Sequence, residues 1–361
     1  MNSVSSAYIE ITGSCNAKCP YCYNEKLVNG GGELSLDTLI SLFSQLKSSG
    51  INKLSVSGGE PFLHTDIRGV FREASRLGVE LSVISNGKCF EPPNMPLILE
   101  FQPDLQITFD GFDAESHDAT RGTGNFDLIT SGIKSAKQLG YNGNITARVN
   151  LHRGNISRVD DFLSTFEREF PDNELAAISV ALLRKTESGG GSFDAYLETG
   201  EYLNYPDVIG AFDTWNETHS AQILYDFNNA DVGCAYNAEN GDVRCGLRIA
   251  LDGNVFPCQM FTDDRFAIGN ILGESIAGIL SGNKLEKFVE AVHIRRGKIE
   301  KCGVCAFKTL CAGGCPAVAF IENGSFDSVS ARCGVRKTAL SSSLSQLLRA
   351  AEGKRQGASN A

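Results

Sequence analysis

Cys15, Cys19 and Cys22 stand at the spacing Cys-x3-Cys-x2-Cys near the start of the chain. Three thiolates this close can ligate three irons of one 4Fe–4S cubane and leave the fourth iron without a protein ligand. Catalysis needs such an open metal position, whereas a structural site is closed. The competing chemistry is a zinc knuckle short of one ligand, for which His64 is the candidate. A second set reads Cys234, Cys245-x7-Gly253-x4-Cys258, Cys302-x2-Cys305-x5-Cys311-x3-Cys315 and Cys333. These eight thiolates match the ligand count of two fully ligated 4Fe–4S clusters. Two four-cysteine zinc sites are the alternative. Of the twelve cysteines only Cys89 stands apart, and a lone cysteine reads as a small packed residue.

The chain has 361 residues, a formal charge of −10 and a pI near 5.1. Its longest basic cluster is Arg295-Arg296-Gly297-Lys298, so no nucleic-acid partner is expected. No apolar run is long enough to span a bilayer, and no membrane contact is expected. Met1–Cys15 lacks the basic and apolar regions of a secretory signal. The expected location is cytoplasmic, where thiols stay reduced and clustered cysteines read as metal ligands before disulfides.

Something must position these thiols. Six short runs rich in β-branched residues read as strands: 8–12, 53–57, 80–85, 105–109, 145–151 and 177–183. Between them lie helical patterns. Ser35 caps the first, Asp37 sits in its first turn, Leu36, Leu39, Ile40, Phe43 and Leu46 repeat at helical spacing, and Gly50 stops it. Ile67, Val70, Phe71, Ala74 and Leu77 form the next, before Gly78. Further helices are expected over 126–139 and 159–170. The crossover from Gly87 to Asp104 holds Pro92, Pro93 and Pro96, and no regular helix is expected there.

Strands alternating with helices imply a parallel sheet with right-handed crossovers, here an α/β fold with a partial (β/α)6 barrel resembling a TIM barrel. Its chemistry belongs at the C-terminal ends of the strands. Cys15–Cys22 follows the first strand and Gly58–Pro61 the second, which puts both on one rim. Four segments are expected: a barrel over 1–200, a linker helix region over 201–233, a metal-stapled domain over 234–340, and a helix end with a disordered tail over 341–361. Within these, 188–192 reads as a mobile loop, 206–219 as a helix and 340–351 as an amphipathic closing helix.

Cys-x3-Cys-x2-Cys on the loop after a first strand resembles the radical S-adenosylmethionine (SAM) superfamily. Gly58-Gly59-Glu60-Pro61 is similar to that family's motif for the methionine amino group of SAM. Two glycines let backbone approach a ligand closely, and a carboxylate can accept from an ammonium. Ser85-Asn86-Gly87 and Thr108-Phe109-Asp110-Gly111 resemble the segments that line the SAM ribose and the substrate. Arg148 resembles the arginine that pairs with the SAM carboxylate, and Arg153 competes for that role. The implied cofactor contacts are thus Tyr21, Gly58, Gly59, Glu60, Ser85, Asn86, Thr108, Asp110 and Arg148. The implied chemistry is reductive cleavage of SAM to a 5′-deoxyadenosyl radical that removes hydrogen from a substrate.

The C-terminal cysteines resemble the SPASM domain, and the two resemblances together cover about residues 7–335. By that likeness Cys234, Cys245, Cys258 and Cys315 hold an inner auxiliary 4Fe–4S cluster, and Cys302, Cys305, Cys311 and Cys333 an outer one. An electron donor such as ferredoxin or flavodoxin is implied. Related sulfatase-maturing enzymes carry an aspartate directly after the cysteine of the Gly-x4-Cys unit. Here that position is Gln259, an amide that cannot serve as a base. The expected substrate is a ribosomally made precursor peptide receiving a crosslink, thioether or epimerised centre. Seven residues precede the first expected strand, so a leader-binding domain would have to be a separate protein or be unnecessary. A sulfatase-maturase-like enzyme with another group as base, a small-molecule dehydrogenase and, from another class, a ferredoxin-like electron carrier are the alternatives. The carrier leaves Gly58–Pro61 and the open cubane without purpose.

Overall fold

The computed structural model of the protein describes residues 4–22, 24–171, 174–183, 205–225, 236, 245–311, 313–329, 333–334, 336–337, 340–341 and 344. The expectations for 188–192 and 345–351, for the tail and for Cys234 lie outside these residues.

The six expected strands are β1 (Val4–Thr12), β2 (Lys53–Gly58), β3 (Glu80–Ser85), β4 (Asp104–Phe109), β5 (Ile145–Leu151) and β6 (Ala177–Leu182). They pair in parallel in chain order, so each βα loop emerges on one rim. Strand β1 begins at Val4, earlier than its apolar run suggests.

Helices α1 (Glu25–Gly30), α2 (Leu36–Ser48) and α3 (Ile67–Leu77) follow the first two strands. Ser35 Oγ accepts from the Thr38 N–H at 3.2 Å and starts α2. Gly78, at φ +61°, ends α3 in the left-handed conformation that glycine adopts without strain. The crossover after β3 does contain a helix, α4 (Met95–Phe101). Pro96 lies in its first turn, where the missing N–H has no helical partner to lose and the fixed φ favours the helix. Counting prolines as breakers overlooked that position.

Next come α5 (Ala114–Arg121), α6 (Asn125–Gln138), α7 (Val159–Glu169) and α8 (Tyr205–Thr218). The stretch expected as a linker adds α8 and a further parallel strand, β7 (Gln222–Tyr225), beside β6. On the other edge, β8 (Cys245–Ile249) pairs in parallel with β1. It turns at Gly253 (φ +84°) into antiparallel β9 (Asn254–Phe256), followed by β10 (Gly269–Asn270). The cysteine-rich region is thus hydrogen-bonded into the barrel sheet and shares its apolar core.

The sheet divides its faces by the period of two. In β5 Ile145, Ala147, Val149 and Leu151 are buried in the core, while Thr146, Arg148 and Asn150 lie half-buried on the opposite face. The register puts Glu10, Ser57, Thr108, Ser179 and Arg248 on that same inner face. Behind β4, Phe109 packs edge-on against Phe166 (5.3 Å) and Phe126 (6.4 Å), fixing α6 and α7. Among the described residues no helix is long and apolar enough to cross a membrane.

Candidate active site

The loops after β1 and β2 are joined backbone to backbone. The Gly59 N–H donates to Thr12 O (2.6 Å), the Glu60 N–H to Ser14 O (2.8 Å), and Asn24 Nδ2 to Gly58 O (3.0 Å). A Cβ on Gly58 would lie 2.3 Å from Thr12 O, and one on Gly59 would lie 2.2 Å from Ser14 O. The paired glycines therefore admit the cysteine loop itself.

Cys15, Cys19 and Cys22 are half-buried on this loop. Burial raises the pKa of all three, Cys22 to about 11, with Cys19 and Cys15 adding to the rise at Cys22. Metal binding must therefore displace protons, and it gains from higher pH. No trio of His, Cys, Asp or Glu side chains among the described residues closes on a single metal ion. Ligands to three separate irons of a cubane need no such closure, and the all-thiol donor set suits iron–sulfur chemistry. His64 does not join them. Its Nε2 meets Leu34 O at 2.8 Å and its Nδ1 accepts from the Asp66 N–H at 3.1 Å, so both ring nitrogens are occupied.

Glu60 is fully buried and ties the second loop to the third. It accepts from the Phe62 N–H (3.2 Å), Ser85 Oγ (3.0 Å) and the Asn86 N–H (2.8 Å). Asn86 Nδ2 in turn donates to Asn16 Oδ1 (2.8 Å) and lies 3.9 Å from Cys15 Sγ. Burial pushes the Glu60 carboxyl up to about 7 against the donors that lower it. The Glu60→Gln protein is expected to lose about 1–3 kcal/mol, because an amide nitrogen would face the Asn86 N–H or Ser85 hydroxyl. SAM affinity should fall with the displaced Ser85–Gly87 loop while the iron content stays unchanged. The folded pKa lies above the unfolded value, so Glu60 supports the fold most at low pH. That contribution declines as pH rises from about 4.5 through about 7. Thermal melts across that window should show the decline in the parent and not in Glu60→Gln.

Asp110, at the end of β4, is buried, and both of its carboxylate oxygens are engaged by protein groups. Oδ1 accepts from Asn150 Nδ2 (3.0 Å), and Oδ2 from the Tyr21 hydroxyl and Arg121 Nε. Burial opposes its ionisation, but the Arg121 charge prevails and holds the pKa below the usual range. Tyr21 and Asp110 were expected at SAM, and the structure joins them to each other. Arg121 escaped the sequence reading. Its helix offers no apolar stripe, and only His117 among its residues is buried. The available signal was a histidine and an arginine one turn apart just after Asp110-Gly111.

Thr108 and Arg148 are register neighbours on β4 and β5, and Arg148 Nη1 donates to Ser179 Oγ at 2.8 Å. Asn150 reaches Asp110 at the rim, so Arg148 lies one pleat deeper on the same face. Arg153 stands in the turn after β5. Cys89 is fully buried in the core, as a packed residue should be. Beside the cysteine loop opens a cleft of about 530 Å³. Glu10, Asn24 and Glu33 line one side and Arg248, Asp252 and Phe256 the other. The Glu10 carboxylate accepts from Arg248 Nε at 3.0 Å on its floor.

In the C-terminal region, Cys302, Cys305, Cys311 and Cys333 line one cavity together with Phe307 and Arg336. Burial raises the pKa of Cys302, with Cys311, Cys333 and Cys305 adding in that order. Cys258 and Cys315 are half-buried against the main core, and Gln259 is exposed. The four cysteines expected for the outer cluster thus face one cavity.

Residues 9–166 match the family model of the radical SAM superfamily, and residues 242–306 that of SPASM, an iron–sulfur cluster-binding domain. The chain is 25% identical over 336 residues to the mycofactocin maturase of Mycobacterium tuberculosis, covering 90% of this chain and 81% of that one. It is 24% identical over 338 residues to the PqqA peptide cyclase of Rhodopseudomonas palustris, covering 91% and 86%. Native anSMEcpe with bound AdoMet and the Cp18Cys peptide has the same fold, at TM-score 0.76 and 17% identity over 97% of this chain and all (100%) of that one. SuiB of Streptococcus suis bound to S-adenosylmethionine follows at TM-score 0.72 and 14% identity, over 91% and 76%.

Proposed function

The chain belongs to the radical SAM superfamily and carries a SPASM domain, and from that premise we propose that it modifies a ribosomally made precursor peptide. Cys15, Cys19 and Cys22 would hold a 4Fe–4S cluster, which with SAM would supply the 5′-deoxyadenosyl radical chemistry for hydrogen removal from the substrate. The protein's part is placement. Glu60 and Asn86 hold the second and third loops against the cysteine loop, and Arg148 offers a cation on the inner face for the SAM carboxylate. In this reading Cys234, Cys245, Cys258 and Cys315 ligate the inner auxiliary cluster, and Cys302, Cys305, Cys311 and Cys333 the outer one. The cleft between the cysteine loop and the β8–β9 turn is open to a chain-like substrate.

The observation that carries the peptide reading is the likeness, over nine-tenths of the chain, to a maturase and a peptide cyclase. An exposed Gln259, where a carboxylate would serve as base, weighs against sulfatase maturation. A ferredoxin or flavodoxin would deliver the electron. The test uses anaerobically reconstituted enzyme, a chemical reductant, SAM and any short peptide found encoded beside its gene. The expected result is 5′-deoxyadenosine formed together with a mass change or solvent-deuterium uptake in the peptide. SAM cleavage stimulated by small molecules, with the peptide unaltered, would overturn the peptide reading.

A further inference from the structure

The Arg121 guanidinium, 12% exposed, spends its three nitrogens on three different partners. Nε donates to Asp110 Oδ2, Nη1 to Cys19 Sγ at 3.3 Å and Nη2 to the Tyr21 hydroxyl at 3.3 Å. It also lies over the Tyr21 ring, 5.5 Å from the centroid. Asp110 closes the arrangement, since Tyr21 donates to the same carboxylate oxygen. The helix carrying Arg121 is fixed independently. His117 Nδ1 accepts from the Asp110 N–H (3.2 Å) while its Nε2 meets Asn125 Oδ1 (2.8 Å). Anchoring α5 to β4 therefore needs neither the arginine nor its arm to sulfur.

We infer that Arg121 is a positioning residue that raises the electron affinity of the cluster on the cysteine loop, by donating to Cys19 Sγ from within its ion pair with Asp110. The inference rests on the reading that Cys15, Cys19 and Cys22 hold that cluster. One-electron reduction adds negative charge that spreads onto the ligand sulfurs, and hydrogen bonds to those sulfurs are among the levers that set a cluster's potential. A cation with a directed N–H stabilises the reduced form. The Asp110 carboxylate, on the far side of the guanidinium, tempers that effect. The two partners must therefore act with opposite sign.

The test is a potentiometric titration of the reconstituted holoenzyme without SAM, monitored by electron paramagnetic resonance. It follows the one cluster whose signal changes when SAM is added afterwards. Arg121→Gln should move the midpoint to more negative potential, Arg121→Lys should move it less, and Asp110→Asn should move it to more positive potential. A purely structural role would lower cluster occupancy without moving the midpoint of what remains. Unchanged midpoints in Arg121→Lys and Asp110→Asn, or shifts of the same sign in Arg121→Gln and Asp110→Asn, would overturn the inference even if Arg121→Gln failed to assemble. Failure of the parent reading looks different, because the unaltered protein would then show no SAM-responsive signal.

Discussion

Changing Cys15, Cys19 and Cys22 together to alanine is expected to abolish SAM cleavage and remove about a third of the iron. Three cubanes amount to about twelve irons per chain, and this change deletes the ligands of one. The barrel should survive. The loop is held by Asn24 on Gly58 O, by the Gly59 N–H on Thr12 O and by the Gly13 N–H on Gly32 O, none of which involves a sulfur. The circular dichroism spectrum should therefore match the parent, while the Arg121 arm toward Cys19 loses its acceptor. Iron and protein assays on anaerobically reconstituted samples, with chromatography for 5′-deoxyadenosine, decide the matter. Undiminished iron in the triple variant would remove the cluster from this loop. About two zinc ions in place of iron across the chain would return the C-terminal cysteines to structural sites.

What the sequence revealed of this arrangement follows from what is local. Strand β3 was legible to the residue because Glu80–Ser85 carries its β-branched pattern between Gly78 and Gly87. The cysteine sets were legible because thiols are rare and their chemistry is narrow. Contacts that depend on distant chain segments were not. The Arg121–Cys19 approach joins positions 102 residues apart, and the Arg248–Glu10 pair joins positions 238 apart. No local spacing encodes either pair. The same reason hid the merging of β8 with β1. Leu247 and Ile249 read as a short apolar run, and only β1's free edge makes that run a strand of the barrel sheet. Gly58 and Gly59 show a subtler gap. Their presence was legible, but the backbone they make room for belongs to another loop.

Replacing Cys305 or Cys311 by alanine is expected to destabilise the C-terminal region and stop product formation while leaving SAM cleavage intact. Among the described residues from Ile299 to Arg336 few large apolar side chains are buried, so bound metal is expected to contribute much of the region's stability. Arg295 adds an electrostatic reason. It is fully buried, with its donors on Phe326 O, Gly314 O, Gly313 O and Ser328 O, and its charge lowers the pKa of Cys302. Carbonyl oxygens accept these hydrogen bonds, and anionic thiolates around the neighbouring cavity add favourable charge beside the guanidinium. An alanine there leaves a buried cation with less compensation, so the melting temperature should fall even in samples that retain the other two clusters. On the proposed ligation by eight cysteines neither auxiliary cluster would keep an open iron, and the expected role is to pass an electron to or from the substrate. A folded Cys305→Ala protein should then form 5′-deoxyadenosine at the parent rate without converting peptide. Equal loss of both reactions would mean that the outer cluster supplies the electron for SAM cleavage. Spectroscopy placing substrate directly on an auxiliary iron of the unaltered enzyme would refute full ligation, and Cys234, whose spacing from Cys245 is the least constrained, would be the ligand to release.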